Sequence, residues 1–291
     1  MKCSNCAADN SDGAHFCGNC GRAIGLPAPE DLGQRQAEFT GERRPDGTTF
    51  EPSSLSKLLV ESARVYRRNL PVFLGIGLIP QVPGLLGLGP LPLWWSITLV
   101  ITSLGLTALS FGAVTHAVAI DYLGLTPTVG SSYSRAWRRV ATLEACLIIY
   151  TFLLAGSLLL SLILVGIPIL LVLLVVLWLY PQAVMLENLG PVDAFGRSIF
   201  LVRENWLRVF GIVAACWIIP SALSLAVLFL SNDSAIGRIS LIILGTLTGP
   251  WTMIGSTLMY FDLRVRKEAY GVELLEAELE ITSPPWPSDR L

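Results

Sequence analysis

The chain has 291 residues, of which 53% are hydrophobic and only 14% are charged, with a formal net charge of −2. Soluble domains carry roughly a quarter charged residues, so this composition argues against a soluble protein. The near-neutral charge indicates no particular class of partner. The deficit of charge is concentrated in four segments that lack Asp, Glu, Lys and Arg: 69–120, 145–186, 209–232 and 239–261.

The first motif along the chain is a cysteine pattern, C-x2-C-x10-C-x2-C, formed by Cys3, Cys6, Cys17 and Cys20. Zinc prefers tetrahedral coordination by thiolates, and two paired-cysteine turns can each present two ligands. A redox pair would not need a second pair beside it, and a cytoplasmic location disfavours disulfides. The pattern therefore predicts a zinc ribbon over 1–25 that binds Zn²⁺ through these four residues.

Charge near the ribbon argues against nucleic acid as its partner. Lys2 and Arg22 are offset by Asp9 and Asp12, so no basic face is available for phosphate groups. We therefore expect the ribbon to contact a protein or to be purely structural.

A flexible linker is predicted over 26–54, where prolines and mixed charges occur without apolar periodicity. An amphipathic helix is expected to begin near Pro52 or Ser54. Its apolar positions Leu55, Leu58 and Val65 recur at helical spacing.

Six membrane-spanning helices are predicted from the charge-free runs. A span needs about 20 predominantly apolar residues, so the first two runs each fit two spans and the last two fit one each. The predicted spans are 70–90, 94–119, 143–161, 163–186, 207–230 and 239–262.

Arginine placement sets the expected orientation. Arginines cluster before the first span and after the second, fourth and sixth, whereas the three opposite turns contain only Arg238. Both termini and both long loops are therefore expected in the cytoplasm, with the bundle in the plasma membrane. The cytoplasmic arginines are Arg64, Arg67, Arg68, Arg135, Arg138, Arg139, Arg197, Arg203, Arg208, Arg264 and Arg266.

An internal repeat indicates that the six spans form three helical hairpins, each introduced by a cytoplasmic amphipathic helix. A shift of 136 residues aligns Ser62 with Ser198 and Asn69 with Asn205. Each outgoing span ends in an acid: Asp121, Glu187 and Asp262. The expected fold class is thus an all-α membrane protein with a small N-terminal zinc ribbon.

Two interpretations of these three acids remain open. Arginines and carboxylates at span ends can serve as plain interfacial anchors. Alternatively, the acids pair with the loop arginines in a cytoplasmic ring that locks the bundle together and adds specificity.

The loop helix 191–206 shows the clearest amphipathic pattern. Its arginines, Arg197 and Arg203, are expected to face anionic lipid if the helix lies on the headgroups; the helix can equally pack under the bundle. Its apolar stripe is Val192, Phe195, Ile199, Val202 and Trp206.

Three segments carry family resemblances. The N-terminus, MKCSNCAADNSDGAHFCGNCGRAI, resembles the short zinc ribbons at the front of many bacterial membrane proteins, although Ser4 and Ala7 stand where Pro and Gly are usual. Two further segments resemble a family of uncharacterised bacterial six-span proteins: YPQAVMLENLGPVDAFGRSIFLVRENWLRVFGI and LMYFDLRVRKEAYGVELL.

That second resemblance covers about residues 55 to 275. The family is related to the membrane domain that precedes some glycerophosphodiester phosphodiesterases. In those enzymes catalysis resides in a separate soluble barrel, which this chain lacks. The resemblance therefore implies a membrane domain without phosphodiesterase activity.

No catalytic constellation is found in the sequence, and we expect no catalytic residues and no enzyme activity. The H-E-x-x-H pattern, a phosphate-binding loop and a dinucleotide fingerprint are all missing. His116 stands alone near the end of the second span and has Asp121 as its nearest acid.

Two functional hypotheses follow. The first is a non-enzymatic membrane protein whose ribbon recruits or regulates a cytoplasmic or membrane protein, with membrane lipids around the bundle. The alternative is a transporter or lipid-handling protein that uses spans interrupted by prolines such as Pro80, Pro220 and Pro250.

The predicted membrane domain is 55–275, followed by a cytoplasmic tail at 276–291; the oligomeric state is left open.

Overall fold

The structure is a computed structural model that describes Lys2 and residues 53–87, 91–231, 235–268 and 270–279. From Ser53 onward, every regular element in these ranges is helical, in agreement with the expected all-α class. The α-helices are, in chain order, α1 (Leu55–Arg68), α2 (Leu70–Leu78), α3 (Val82–Leu86), α4 (Leu93–Tyr122), α5 (Val129–Trp137), α6 (Val140–Leu160), α7 (Gly166–Val176), α8 (Tyr180–Leu186), α9 (Pro191–Val202), α10 (Trp206–Ser231), α11 (Ala235–Glu268) and α12 (Val272–Leu279).

Five helical stretches in the described ranges are long and apolar enough to cross a membrane: α4, α6, α7 continued by α8, α10 and α11. They coincide with five of the six predicted spans. The first predicted span is helical over Leu70–Leu86 and counts as a sixth candidate only together with α1, from which it is bent by 90°. A short 3-10 turn at Ile79–Gln81 interrupts it, because Pro80 and Pro83 cannot donate backbone hydrogen bonds.

Helix α1 begins where the sequence predicts. Ser54 caps it by accepting a hydrogen bond from the backbone N–H of Lys57 at 3.3 Å. Its buried face consists of Leu58, Ser62 and Val65, and it packs against α11. The amphipathic pattern therefore predicts correctly which face of α1 contacts the bundle.

Burial is uneven along the bundle. All seven residues of the short helix α8 are buried, and α8 packs against α4 and α9. The second half of α4 and the second half of α11 complete this core. The opposite end of the bundle exposes large apolar side chains, as expected of a surface that faces lipid; examples are Phe152, Leu162, Phe229 and Leu230.

Consecutive candidate spans pack together. Helix α4 contacts α2 and α3, α6 contacts α7, and α10 contacts α11. The turn between α6 and α7 requires a glycine, because a Cβ at Gly166 would lie 2.2 Å from the backbone nitrogen of Ser161. Leu164 in the same turn adopts a left-handed conformation, with φ of 62°.

Helix α9 packs under the bundle, against α8 and α11, but its buried face differs from the predicted stripe. Val192 is 80% exposed and Ile199 is 44% exposed, whereas Arg197 is buried. Of the two arrangements left open for this helix, packing under the bundle is therefore the one observed, and Arg197 does not face lipid headgroups. The reason is electrostatic: buried carboxylates hold this arginine inside.

The last described helix, α12, also belongs to the packed region. Leu275 and Leu279 are buried, and α12 contacts α8. The expected boundary between the membrane domain and the tail, at 275, thus falls inside a helix.

Candidate functional site

The four predicted zinc ligands, Cys3, Cys6, Cys17 and Cys20, lie outside the described residues. Within the described ranges, no group of three or more His, Cys, Asp or Glu side chains is arranged to hold a metal ion. Cys146 and Cys216 are free and buried, as expected for small packing residues in spans.

The three acids at the span ends all pair with arginines from the predicted loop set. Asp121, at the end of α4, forms an ion pair with Arg68 and accepts a hydrogen bond from Asn69 Nδ2 at 2.7 Å. Both partners lie at the junction of α1 and α2. The pairing interpretation is therefore confirmed for Asp121, which ties the end of α4 to the junction of α1 and α2.

Asp262, near the end of α11, has a second set of partners. Its Oδ2 lies 3.0 Å from Arg208 Nε and 2.9 Å from Arg266 Nε. Its Oδ1 accepts a hydrogen bond from the backbone N–H of Ser53 at 2.7 Å. The Ser53 carbonyl in turn accepts hydrogen bonds from Arg208 and Arg266, so the segment before α1 is fastened to this end of the bundle.

Glu187, just after α8, lies in the most deeply buried group. Its side chain is 3% exposed, and that of Arg197 is 1% exposed, with Arg197 Nε 2.8 Å from Glu187 Oε2. Tyr260 Oη donates a hydrogen bond to Glu187. Arg197 also forms a two-bond ion pair with Glu268, so one guanidinium group joins α9 to α8 and to α11.

Arg264 extends this group to the last described helix. Its Nε lies 3.4 Å from Glu187 and 3.1 Å from Glu268, and its Nη1 lies 2.8 Å from Glu278 on α12. The guanidinium carbon is 3.7 Å from the ring centre of Tyr270, within the range of a cation–π interaction. Tyr270 Oη donates to Glu278 at 2.7 Å.

We call the resulting set the charged cluster: Glu187, Arg197, Tyr260, Arg264, Glu268, Tyr270 and Glu278. It contains three carboxylates and two guanidinium groups, which leaves a formal excess of one negative charge. Burial raises the pKa of Glu278, although Arg264 acts in the opposite direction. Burial also raises the pKa of Tyr270. Burial alone would lower the pKa of Arg197, but Glu187 and Glu268 outweigh it and raise that pKa.

A row of polar side chains at intervals of four residues winds along α11 and ends in the charged cluster: Thr248, Thr252, Ser256, Tyr260, Arg264 and Glu268. Thr252 Oγ1 donates to the carbonyl of Cys216 on α10 at 3.2 Å. Ser256 Oγ accepts from Gln182 Nε2 on α8 at 2.9 Å. The row therefore connects α11 to its neighbours by directional bonds in a mostly apolar bundle.

At the other end of this row lies a cavity of about 780 Å³. Its walls come from the broken first span, α4, Trp178, α10 and α11. Three prolines line it: Pro80 lies in the 3-10 turn of the first span, whereas Pro220 and Pro250 lie inside the continuous helices α10 and α11 and, contrary to expectation, do not interrupt them. No charged side chain occurs among the described residues that line it. We call this space the proline cavity.

Sequence reasoning missed Glu268 and Glu278 as partners of the predicted acids. Glu268 follows Arg264 by four residues, the spacing that brings side chains together on one helix face. The Arg264–Glu268 pair could therefore have been predicted from the sequence. Glu278 had no comparable signal because its pairing with Arg264 depends on the turn between α11 and α12. His116 lies in α4, and its Nδ1 is buried without a hydrogen-bond partner.

The class of the protein follows from two findings. The described residues form a helical bundle with five to six candidate membrane spans, and residues 2–24 match the model of a zinc-ribbon domain. The chain belongs to the family described as a domain of unknown function, DUF7847, whose model matches residues 91–260. No curated protein and no solved structure matches the chain. Neither family match supports the resemblance to the membrane domain of glycerophosphodiester phosphodiesterases.

Proposed function

We propose that this chain is a non-enzymatic integral membrane protein whose zinc ribbon is a cytoplasmic module for protein interaction or regulation. The proposal places six spans in three hairpins in the plasma membrane, with both termini in the cytoplasm. Zn²⁺ is bound by Cys3, Cys6, Cys17 and Cys20, and its role is to fold the ribbon.

The main observation in support of the proposal is that Ser53 is hydrogen-bonded to the bundle. Both backbone polar groups of Ser53 bond to the Asp262–Arg208–Arg266 group. The end of the predicted linker therefore meets the bundle at its charged end. Arginines concentrate on the cytoplasmic side of membrane proteins, so this end, and the ribbon attached to it, is assigned to the cytoplasm.

Orientation is tested by labelling single introduced cysteines with a membrane-impermeant maleimide on intact cells. Ile236 and Val192 are matched positions because both side chains are about equally exposed, at 76% and 80%. Ile236→Cys should be labelled from outside, and Val192→Cys only after the cells are opened. The reverse pattern would overturn the topology.

Zinc binding is tested on the purified full-length chain by metal analysis. We expect about one zinc per chain, lost on Cys17→Ser. Cys146→Ser is the matched control, because Cys146 is a buried free thiol in α6 and its replacement should leave the zinc content unchanged. Zinc that persists in Cys17→Ser would contradict the assignment of ligands.

Recruitment is tested by crosslinking from the ribbon in native membranes. A specific protein should be crosslinked to the wild type and lost in Cys17→Ser, and deletion of residues 1–50 should abolish the cellular phenotype while the bundle still inserts. A silent deletion would argue against recruitment.

A second candidate function, lipid handling or transport, is supported by the proline cavity. The broken first candidate span lines this cavity, and a discontinuous helix at the binding site is a recurrent feature of transporters. Its test is whether the purified bundle moves a labelled lipid or a solute in vesicles.

A further inference from the structure

The proline cavity has the dimensions of a ligand site. Its volume is about 780 Å³, within the range of roughly 300–1,000 Å³ for small-molecule pockets. An apolar cavity of about 150 Å³ already binds benzene. The proline cavity therefore has room for a molecule several times larger.

Most hydroxyl groups on the described walls offer little free polarity, because those of Thr107, Ser224, Thr248 and Thr252 already donate to backbone carbonyls. Thr107 Oγ1 donates to Ser103 at 2.7 Å, and Thr248 Oγ1 donates to Leu244 at 2.8 Å. Ser224 Oγ donates to Pro220 at 2.8 Å. A ligand in contact with these walls meets mainly carbon, so an ionic or strongly polar ligand would lose its hydration without compensation.

The floor and the rim of the cavity differ in exposure. Pro250 and Trp178 are buried at the floor, whereas Trp217 and Leu228 on α10 are about half exposed. The exposed rim residues belong to α10, a candidate membrane span. The cavity is therefore accessible from the side of the bundle, where hydrocarbon chains surround a membrane protein.

One polar side chain on the wall is positioned by a close approach of two helices. Gln81 packs against Gly245 of α11, where a Cβ would lie 2.6 Å from Gln81 Nε2. The carboxamide can donate and accept hydrogen bonds. It provides a polar contact of the kind that an ester carbonyl or hydroxyl group near the head of a lipid chain requires.

We propose that the proline cavity binds the hydrocarbon chain of a membrane lipid, which enters from the side past α10. The proposal rests on the second candidate function, lipid handling, and names the chemistry of its ligand. Three observations favour this occupant over a solute from water. The described walls carry no charge, most of their hydroxyl groups already donate hydrogen bonds to the backbone, and the exposed rim is apolar.

Gly249 offers a direct way to fill the cavity. It lines the cavity, and apart from its chain neighbours and the backbone of its own helix no heavy atom lies within 4 Å of the position that its Cβ would take. Gly249→Leu should therefore occupy the space without a clash. Gly156 on α6 also has open space at its Cβ position and lies outside the cavity lining, so Gly156→Leu is a matched control.

The test uses the full-length chain in vesicles of equal parts phosphatidylethanolamine and phosphatidylglycerol, with a small amount of phosphatidylglycerol that carries a diazirine in one acyl chain. After illumination, mass spectrometry locates the label. We expect label on cavity residues of α10 and α11, reduced several-fold in Gly249→Leu and unchanged in Gly156→Leu.

Ser224→Phe, which fills the cavity from α10, is a second variant in case Gly249→Leu does not fold; it should reduce labelling similarly. Label spread over the outer apolar faces and unaffected by either cavity-filling variant would overturn the proposal, because it would report surrounding lipid only.

The outcomes separate the site from the function on which it rests. If the cavity is labelled as expected but the wild type moves no lipid between leaflets, the binding site stands and lipid movement is wrong. If lipid moves but Gly249→Leu leaves both labelling and movement unchanged, lipid handling stands and the proline cavity is not its site.

Discussion

Glu187 is the residue on which most of the charged cluster depends. It meets Arg197, Arg264 and Tyr260, and its side chain is 3% exposed. A buried carboxylate of this kind is held by its partners, and its removal leaves two guanidinium groups with less compensation. Removal of Glu187 should therefore destabilise the protein more than removal of an ordinary exposed charge at a span end.

We expect Glu187→Gln to lower the free energy of unfolding by about 3 kcal/mol or more, because it breaks a buried ion pair. The measurement is loss of helix signal on denaturation in detergent. Arg64→Gln is the control: Arg64 pairs with Glu61, but its side chain is 59% exposed, so the change should cost less than about 1 kcal/mol. Equal losses in the two variants would contradict the buried cluster.

We expect the stability of the protein to depend on pH through the buried carboxyl group of Glu278. Burial raises its pKa in the folded state above the ordinary value of 4.5, so folding favours the protonated form. Its contribution to stability is therefore fully present below the ordinary pKa and declines as the pH rises through the raised one.

Thermal unfolding of the wild type and Glu278→Gln across this range should show the wild type losing stability relative to the variant as the pH rises. Glu204→Gln is the control, since that side chain is 77% exposed. A difference between wild type and Glu278→Gln that is independent of pH would contradict the prediction.

Among the elements, the spans were predictable, but which of their prolines interrupts a helix was not. Continuous apolar runs indicate helices because lipid leaves no other partner for backbone groups. The break at Pro80 was visible as a proline, but its effect on the length of the first span depends on how α2 packs against α11. Apolar periodicity grouped Val192 and Ile199 in one stripe of α9 but left open whether that stripe faces the bundle. It cannot register the carboxylates that bind Arg197.

The contact between α2 and α11 depends on Gly77. A Cβ at this position would lie 2.6 Å from Pro250 Cγ and 2.7 Å from the carbonyl oxygen of Thr246. We expect Gly77→Ala to destabilise the protein by about 1–3 kcal/mol, because the helices must move apart. Gly249→Ala has open space and should be neutral or slightly stabilising. Thermal unfolding of the two variants provides the comparison, and similar midpoints would contradict the close approach at Gly77.

For the whole molecule, the bundle extends from Ser53 to at least Leu279. The sequence predicted its class, its candidate spans and the acids at their ends. It could not predict that the charged cluster joins α8, α9, α11 and α12, because these partners are separated by up to 91 residues along the chain, from Glu187 to Glu278.

The bonds to Ser53 predict how the ribbon and bundle depend on each other. A chain that begins at Glu51 should unfold at the same temperature as the full-length protein, because Ser53 and α1 are retained. A chain that begins at Lys57 should unfold at a lower temperature, because Asp262, Arg208 and Arg266 lose the backbone groups that they bind. A large loss already in the longer truncation would show that the ribbon supports the bundle.

The polar row of α11 also limits how the gene can vary. A single inserted or deleted codon between Thr248 and Glu268 would rotate one part of the helix against the other by about 100°. Each polar side chain beyond that point would then face a different neighbour, and Arg264 would turn away from Glu187 and Glu278. Among related genes, we therefore expect substitutions in this interval but no change of length, with insertions and deletions confined to the connections outside it.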